Sequence, residues 1–156
     1  MDFDRAVYER RILIENRPDI FGRQQIMDAN DQVIDEEPYL LSNATTLSMD
    51  EAVALTAQYE GGCYPAHIDR EANGIIAILG MLPPEPHFTC AELHDGSREA
   101  EFRQAHALTD TMIVVGSDAH YLWDIRDKER VVELDASPED PDGVRRCLIE
   151  CMRRNL

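Results

Sequence analysis

Apolar and polar positions along the chain change period several times, and each change marks an element. Between Phe3 and Leu13, Phe3, Ala6, Val7, Tyr8, Ile12 and Leu13 recur among charged residues, which predicts a short surface helix ending before Pro18. Asn16–Gly22 reads as a loop, and Gln25–Asp28 and Gln32–Ile34 read as the arms of a small hairpin around Ala29-Asn30-Asp31. Ser48 with Glu51 three residues later forms a capping box, so a helix is expected from about Met49 to Tyr59, stopped by Gly61-Gly62. Beyond that point the pattern alternates regularly. Strands are predicted at Cys63–Ala66, Phe88–Leu93, Thr111–Val115 and Arg130–Leu134. Helices are predicted at Gly74–Leu79, Arg98–Leu108 and a final stretch reaching Arg153. Short apolar strands alternating with helices argue for an α/β fold with a parallel sheet.

In such folds ligands gather beyond the carboxyl ends of the strands. Two segments place metal-binding side chains there. Gly116-Ser117-Asp118-Ala119-His120 follows the apolar run Met112–Val115, and Cys63-Tyr64-Pro65-Ala66-His67-Ile68-Asp69-Arg70 carries a histidine and then a carboxylate out of a shorter run. Glu92 also ends a predicted strand and reads as structural, with His94 as a substitute ligand; His87 and His106 read as surface residues.

The segments carrying these residues resemble the PHP family, the polymerase and histidinol phosphatase superfamily of metal-dependent phosphoesterases. Pro65-Ala66-His67-Ile68-Asp69-Arg70, Leu79-Gly80 with Pro83, Ala91-Glu92, and Gly116-Ser117-Asp118-Ala119-His120-Tyr121-Leu122 follow the order and approximate spacing of its later motifs. Asn16–Gly22, Leu40-Leu41 and Ala44-Thr45 resemble the connecting region of one bacterial branch. The resemblance implies a distorted (βα)7 TIM-like barrel whose rim holds up to three divalent metal ions, zinc, manganese or iron, and hydrolyses phosphate esters. It implies His67, Asp118 and His120 as metal ligands serving different ions. Arg70 is the expected phosphate contact, because a guanidinium fork suits phosphate oxygens.

The chain also departs from that family. No histidine precedes His67, whereas a full member opens with His-x-His and supplies further ligands before this point. The expectation is therefore a single PHP-like domain over residues 1–156, a partial barrel lacking its first strands, with 1–47 as a connecting region and 48–156 as βα units. A metal position needs about three protein ligands, so His67, Asp118 and His120 cannot complete a three-metal centre by themselves. Open sheet edges recruit other chains, so self-association or a complementing N-terminal segment is expected as a partner. The alternative is a non-catalytic binding or scaffold remnant of the domain.

Charge narrows the substrate. With 31 acidic against 15 basic side chains, the net charge is −16, which disfavours nucleic acid backbones and favours a phosphorylated small molecule or nucleotide. No apolar run approaches the roughly 20 residues of a membrane span. The acidic start Met1-Asp2-Phe3-Asp4 lacks a secretory pattern, and Cys63, Cys90, Cys147 and Cys151 form no zinc pattern. A cytoplasmic protein with reduced thiols is expected.

Overall fold

A computed structural model describes residues 2–127 and 130–153. Their contacts cluster into two compact units, Met1–Ala52 and Val53–Leu156, where the sequence predicts one domain changing character after residue 47.

In the first unit α1 (Phe3–Tyr8) starts at Asp2, whose carboxylate accepts the Arg5 N–H at 3.0 Å. It stops well short of Leu13 because residues 10–16 have better partners. Thr46 donates its N–H to the Arg10 carbonyl, Leu40 to Ile14, and Asn16 to Pro38, so this stretch runs extended beside residues 38–46. The expected loop at 16–22 contains one helical turn, α2 (Pro18–Phe21), with proline at its first position. The hairpin forms as β1 (Gln25–Met27) and β2 (Val33–Glu36), paired antiparallel. Asp28 Oδ1 closes its turn by accepting the N–H groups of Asn30 and Gln32 at 2.8 and 2.9 Å. Those two bonds hold the Asp28 carboxyl below its usual range. None of the described residues in this unit is buried; backbone pairing, rather than a core, organises it.

The unit boundary falls inside α3 (Met49–Gln58). Its capping box is reciprocal: Ser48 Oγ accepts the Glu51 N–H at 3.2 Å, and the Glu51 carboxylate accepts the Ser48 N–H at 2.8 Å.

The second unit is built on one βαβ element. β3 (Cys90–Leu93) and β4 (Met112–Val115) pair in parallel, with Cys90 opposite Met112 and Leu93 opposite Val115. α5 (Glu99–Ala105) lies in the crossover, entered through a 3-10 turn at Gly96–Arg98. It ends before Leu108 because Ala107 adopts φ 54° and Arg103 reaches forward to the carbonyls of Leu108 and Thr111 at 2.6 and 2.9 Å. Leu93, Ala91, Ile68, Phe102 and Leu108 form the core, with Ile75, Ile76, Leu82 and Ile113 against it. Ile75 and Ile76 open α4 (Ile75–Leu79), which terminates at Gly80 in the left-handed conformation. β3 carries buried residues on both faces, whereas β4 is half-buried throughout and has no strand on its outer edge among the described residues. The sequence predicts β4 as a buried strand; with no outer neighbour among the described residues, it stands as an edge.

Two predicted strands are not formed. Cys63–Ala66 makes no ladder of its own, since Pro65 has no N–H to donate. It is nevertheless tied to β3: Glu92 donates to the Pro65 carbonyl at 3.0 Å and Ile68 donates to the Glu92 carbonyl at 2.9 Å, with Ala66 and His67 bulging between. Residues 130–134 form no strand, with Val131 exposed and Arg130 held by an ion pair to Glu99. α6 (Pro141–Arg153) ends the described chain and buries Cys147, with Cys151 partly covered. All four cysteines are free, and burial pushes the Cys90 thiol up to about 11, so it stays protonated at neutral pH. The architecture is mixed α/β with two two-stranded sheets and no closed barrel among the described residues. No described helix is long and apolar enough to cross a membrane.

Candidate functional site

Parallel pairing sends both strands of the βαβ unit out of the sheet at the same edge. The loop after β3 begins with His94-Asp95, and the loop after β4 begins with Gly116-Ser117-Asp118. Gly116 extends the ladder by donating its N–H to the Leu93 carbonyl at 3.1 Å. The 65–68 segment joins the other side of β3 through Glu92, so His67 reaches the same edge. Local folding therefore brings together residues far apart in sequence.

Their geometry is specific. His67 Nδ1 lies 3.4 Å from Glu92 Oε1, and His67 Nε2 lies 3.8 Å from Asp118 Oδ2. Arg70 Nη1 donates to the same Asp118 oxygen at 2.6 Å. All but Arg70 have side chains less than a quarter exposed. His67 and Asp118 both adopt positive φ, 39° and 50°. Non-glycine residues rarely do so, and such strain is retained where surrounding contacts fix the side chain's position. His120 is different. Its Nδ1 lies 2.8 Å from the Asp118 backbone carbonyl and its side chain is exposed, so it folds back on its own loop instead of joining His67.

Asp69 has a role that the sequence does not assign. It turns inward, 9 % exposed, and its two oxygens accept the N–H groups of His94 and Asp95 at 2.7 Å each. It thus ties the His67 loop to the exit of β3. Glu92, read from sequence as structural, sits at the centre of the site beside His67. Its negative charge, after burial, also raises the Tyr64 hydroxyl above its usual range. His94 turns its Nε2 to within 2.9 Å of Arg126, which also donates to the His94 carbonyl at 2.7 Å. Arg126, the second arginine here, carries no sequence signal beyond its place shortly after an aromatic run. Arg70, His94, Asp118, Tyr121, Trp123 and Arg126 border an open depression of about 560 Å³.

These donors do not fit a complete metal centre. The two nitrogens of His67 face different carboxylates, so one ion could take Nε2 and Asp118 but not Glu92 as well. Two donors are fewer than the three or four that a bound zinc requires, and Arg70 already neutralises that carboxylate. Among the described residues no group of three or more histidine, cysteine, aspartate or glutamate side chains is placed to hold an ion. Two buried ring nitrogens here, His67 Nδ1 and His94 Nδ1, have no hydrogen bond among the described residues.

Gly116 leaves room for the Glu92 carboxylate in this packing. A Cβ there would lie 2.0 Å from Glu92 Oε1, so Gly116→Ala must drive the carboxylate away from His67. The expected cost is about 1–3 kcal/mol, read by urea denaturation, together with a changed chemical shift of the His67 ring. An unchanged midpoint with an unchanged His67 signal would contradict the arrangement.

Comparison with known protein families, with curated proteins and with solved structures yields no match.

Proposed function

We propose that this chain carries the phosphate-ester-binding face of a PHP-type phosphoesterase, part of a distorted (βα)7 barrel, acting in the cytoplasm on a phosphorylated small molecule. The observation carrying this reading is the meeting of His67, Arg70 and Asp118, drawn from segments 48 positions apart, at the carboxyl edge of β3 and β4. Free thiols agree with a reducing compartment. Divalent zinc, manganese or iron would supply charge neutralisation and an activated water in such an enzyme, with ligands additional to this chain's own. Those ligands would come from a complementing segment or a second copy, which the open outer edge of β4 is suited to recruit.

The chain's own contribution is recognition. Arg70 is only partly covered, and a guanidinium has five N–H donors, so it can hold Asp118 and present its remaining N–H groups to a phosphate oxygen. His67 and Glu92 hold a buried imidazole–carboxylate pair beneath it. A second reading, a binding module without catalysis, is favoured by the Arg70–Asp118 ion pair standing where a metal would otherwise meet that carboxylate.

Phosphate recognition is tested by calorimetry with phenyl phosphate, for which millimolar or tighter binding is expected. Arg70→Ala should weaken it about tenfold or more, since hydrogen bonds to charged groups contribute roughly 1.5–3 kcal/mol. Absence of binding, or equal binding by the variant, would sink the proposal. Manganese titration followed by electron paramagnetic resonance, with p-nitrophenyl phosphate turnover, separates the readings. Weak manganese binding lost in His67→Ala supports the enzyme, and phosphate binding with no manganese binding supports the module.

A further inference from the structure

Resting on the phosphate-ester reading, we propose that the Tyr121–Arg126 loop selects esters whose organic group is a planar aromatic ring, stacked on Trp123 while the phosphoryl group meets Arg126 and Arg70. Tyr121 and Trp123 lie two residues apart around a 3-10 turn (Leu122–Asp124) and stack face to face, with centroids 4.8 Å apart and planes within 5°. Yet they remain 61 % and 79 % exposed. Two large rings ordered against one another but left wet form a platform. A third ring extends such a stack at little conformational cost, because the protein rings are already aligned.

The same depression supplies the phosphate end. Arg126 forms no ion pair among the described residues, its hydrogen bonds going to the His94 carbonyl and ring. Arg70 shares its charge with Asp118. The two arginines are matched in number by Asp118 and Asp124 on the same wall. Net charge there is therefore near zero, and a bare phosphate is held weakly. Discrimination falls to the organic group, and among the described residues the large apolar surface bordering the depression is the aromatic pair.

Trp123 is the only tryptophan in the chain, so its fluorescence reports directly on stacking. Titration with adenosine monophosphate should quench it and give an affinity roughly tenfold or more above that of glycerol phosphate, as base–aromatic stacking implies. Glycerol phosphate and inorganic phosphate should bind without quenching. Trp123→Leu, at an exposed position, should bring the two esters to equal affinity by phosphorus NMR, through loss of affinity for adenosine monophosphate. Equal affinities in the wild-type chain overturn the ring selection and leave the phosphate site standing; no binding of any phosphate overturns both. Adenosine binding as tightly as its monophosphate overturns the coupling of ring to phosphate.

Discussion

Asp69→Asn should destabilise the Val53–Leu156 unit by about 2–4 kcal/mol, because one buried carboxylate ties the His67 loop to the exit of β3. Both oxygens of Asp69 accept backbone N–H groups at 2.7 Å, from His94 and Asp95, and its own carbonyl accepts Arg98 at 3.1 Å. Hydrogen bonds to a charged group contribute roughly 1.5–3 kcal/mol each. Asparagine keeps one acceptor as a weaker neutral bond and turns an NH₂ toward the other backbone N–H, leaving two donors facing each other in a place 9 % exposed. The consequence extends to the site. His94 would lose its anchor, Arg126 would lose the carbonyl it leans on, and the depression would widen. Urea denaturation checks the stability, and hydrogen exchange at the His94 and Asp95 amides, expected to quicken about a hundredfold, checks the location. A loss under about 0.5 kcal/mol, the ordinary range for a surface change, would contradict this role.

Asp69 also illustrates how much of the site was legible. Its place two residues after His67 made it a plausible rim carboxylate, and nothing in the one-dimensional pattern separates a carboxylate that faces a ligand from one that accepts two amides behind it. Glu92 was missed in the opposite direction. Its importance depends on lying against a Cβ-less residue, Gly116, just past β4 and 24 positions away in sequence, a pairing that periodicity cannot supply. His67, Arg70 and Asp118 were legible because they follow apolar runs that end at one sheet edge. His120 shares their motif but not their position, since its ring is satisfied by the Asp118 carbonyl. The elements divide similarly. The Ser48–Glu51 capping box, the hairpin around Asp28, α5 and α6 depend on contacts within a few residues, and all formed as expected apart from their ends. The Arg130–Leu134 strand depended on a strand partner and has none among the described residues, and Cys63–Ala66 is tied to β3 through the Pro65 carbonyl. PHP-type phosphoester chemistry, which came from motif resemblance, remains a proposal resting on the His67–Arg70–Asp118 geometry.

Leu93→Ala should carry the largest apolar penalty, about 3 kcal/mol within the 2–5 kcal/mol that truncating a buried leucine costs. Leu93 is fully enclosed, at 0 % exposure, among Ile68, Ala91, Phe102 and Leu108. Those neighbours come from the His67 loop, β3, α5 and the turn before β4, so the cavity cannot close without moving an element that also holds the site. A domain of this size has roughly 5–15 kcal/mol in hand, and a core this small supplies no second layer of side chains to relax into the void. The void also lies one residue from His94 and touches Ile68, the residue between His67 and Asp69. Phosphate binding should therefore fall together with stability, whereas Leu122→Ala, at an 84 % exposed position, should leave the denaturation midpoint within about 0.5 kcal/mol of wild type. Urea melts of both variants, paired with phenyl phosphate calorimetry under native conditions, check the contrast. A Leu93→Ala chain losing less than about 1 kcal/mol would mean that β3 does not form the centre of this core, and the site built on its exit would lose its scaffold with it.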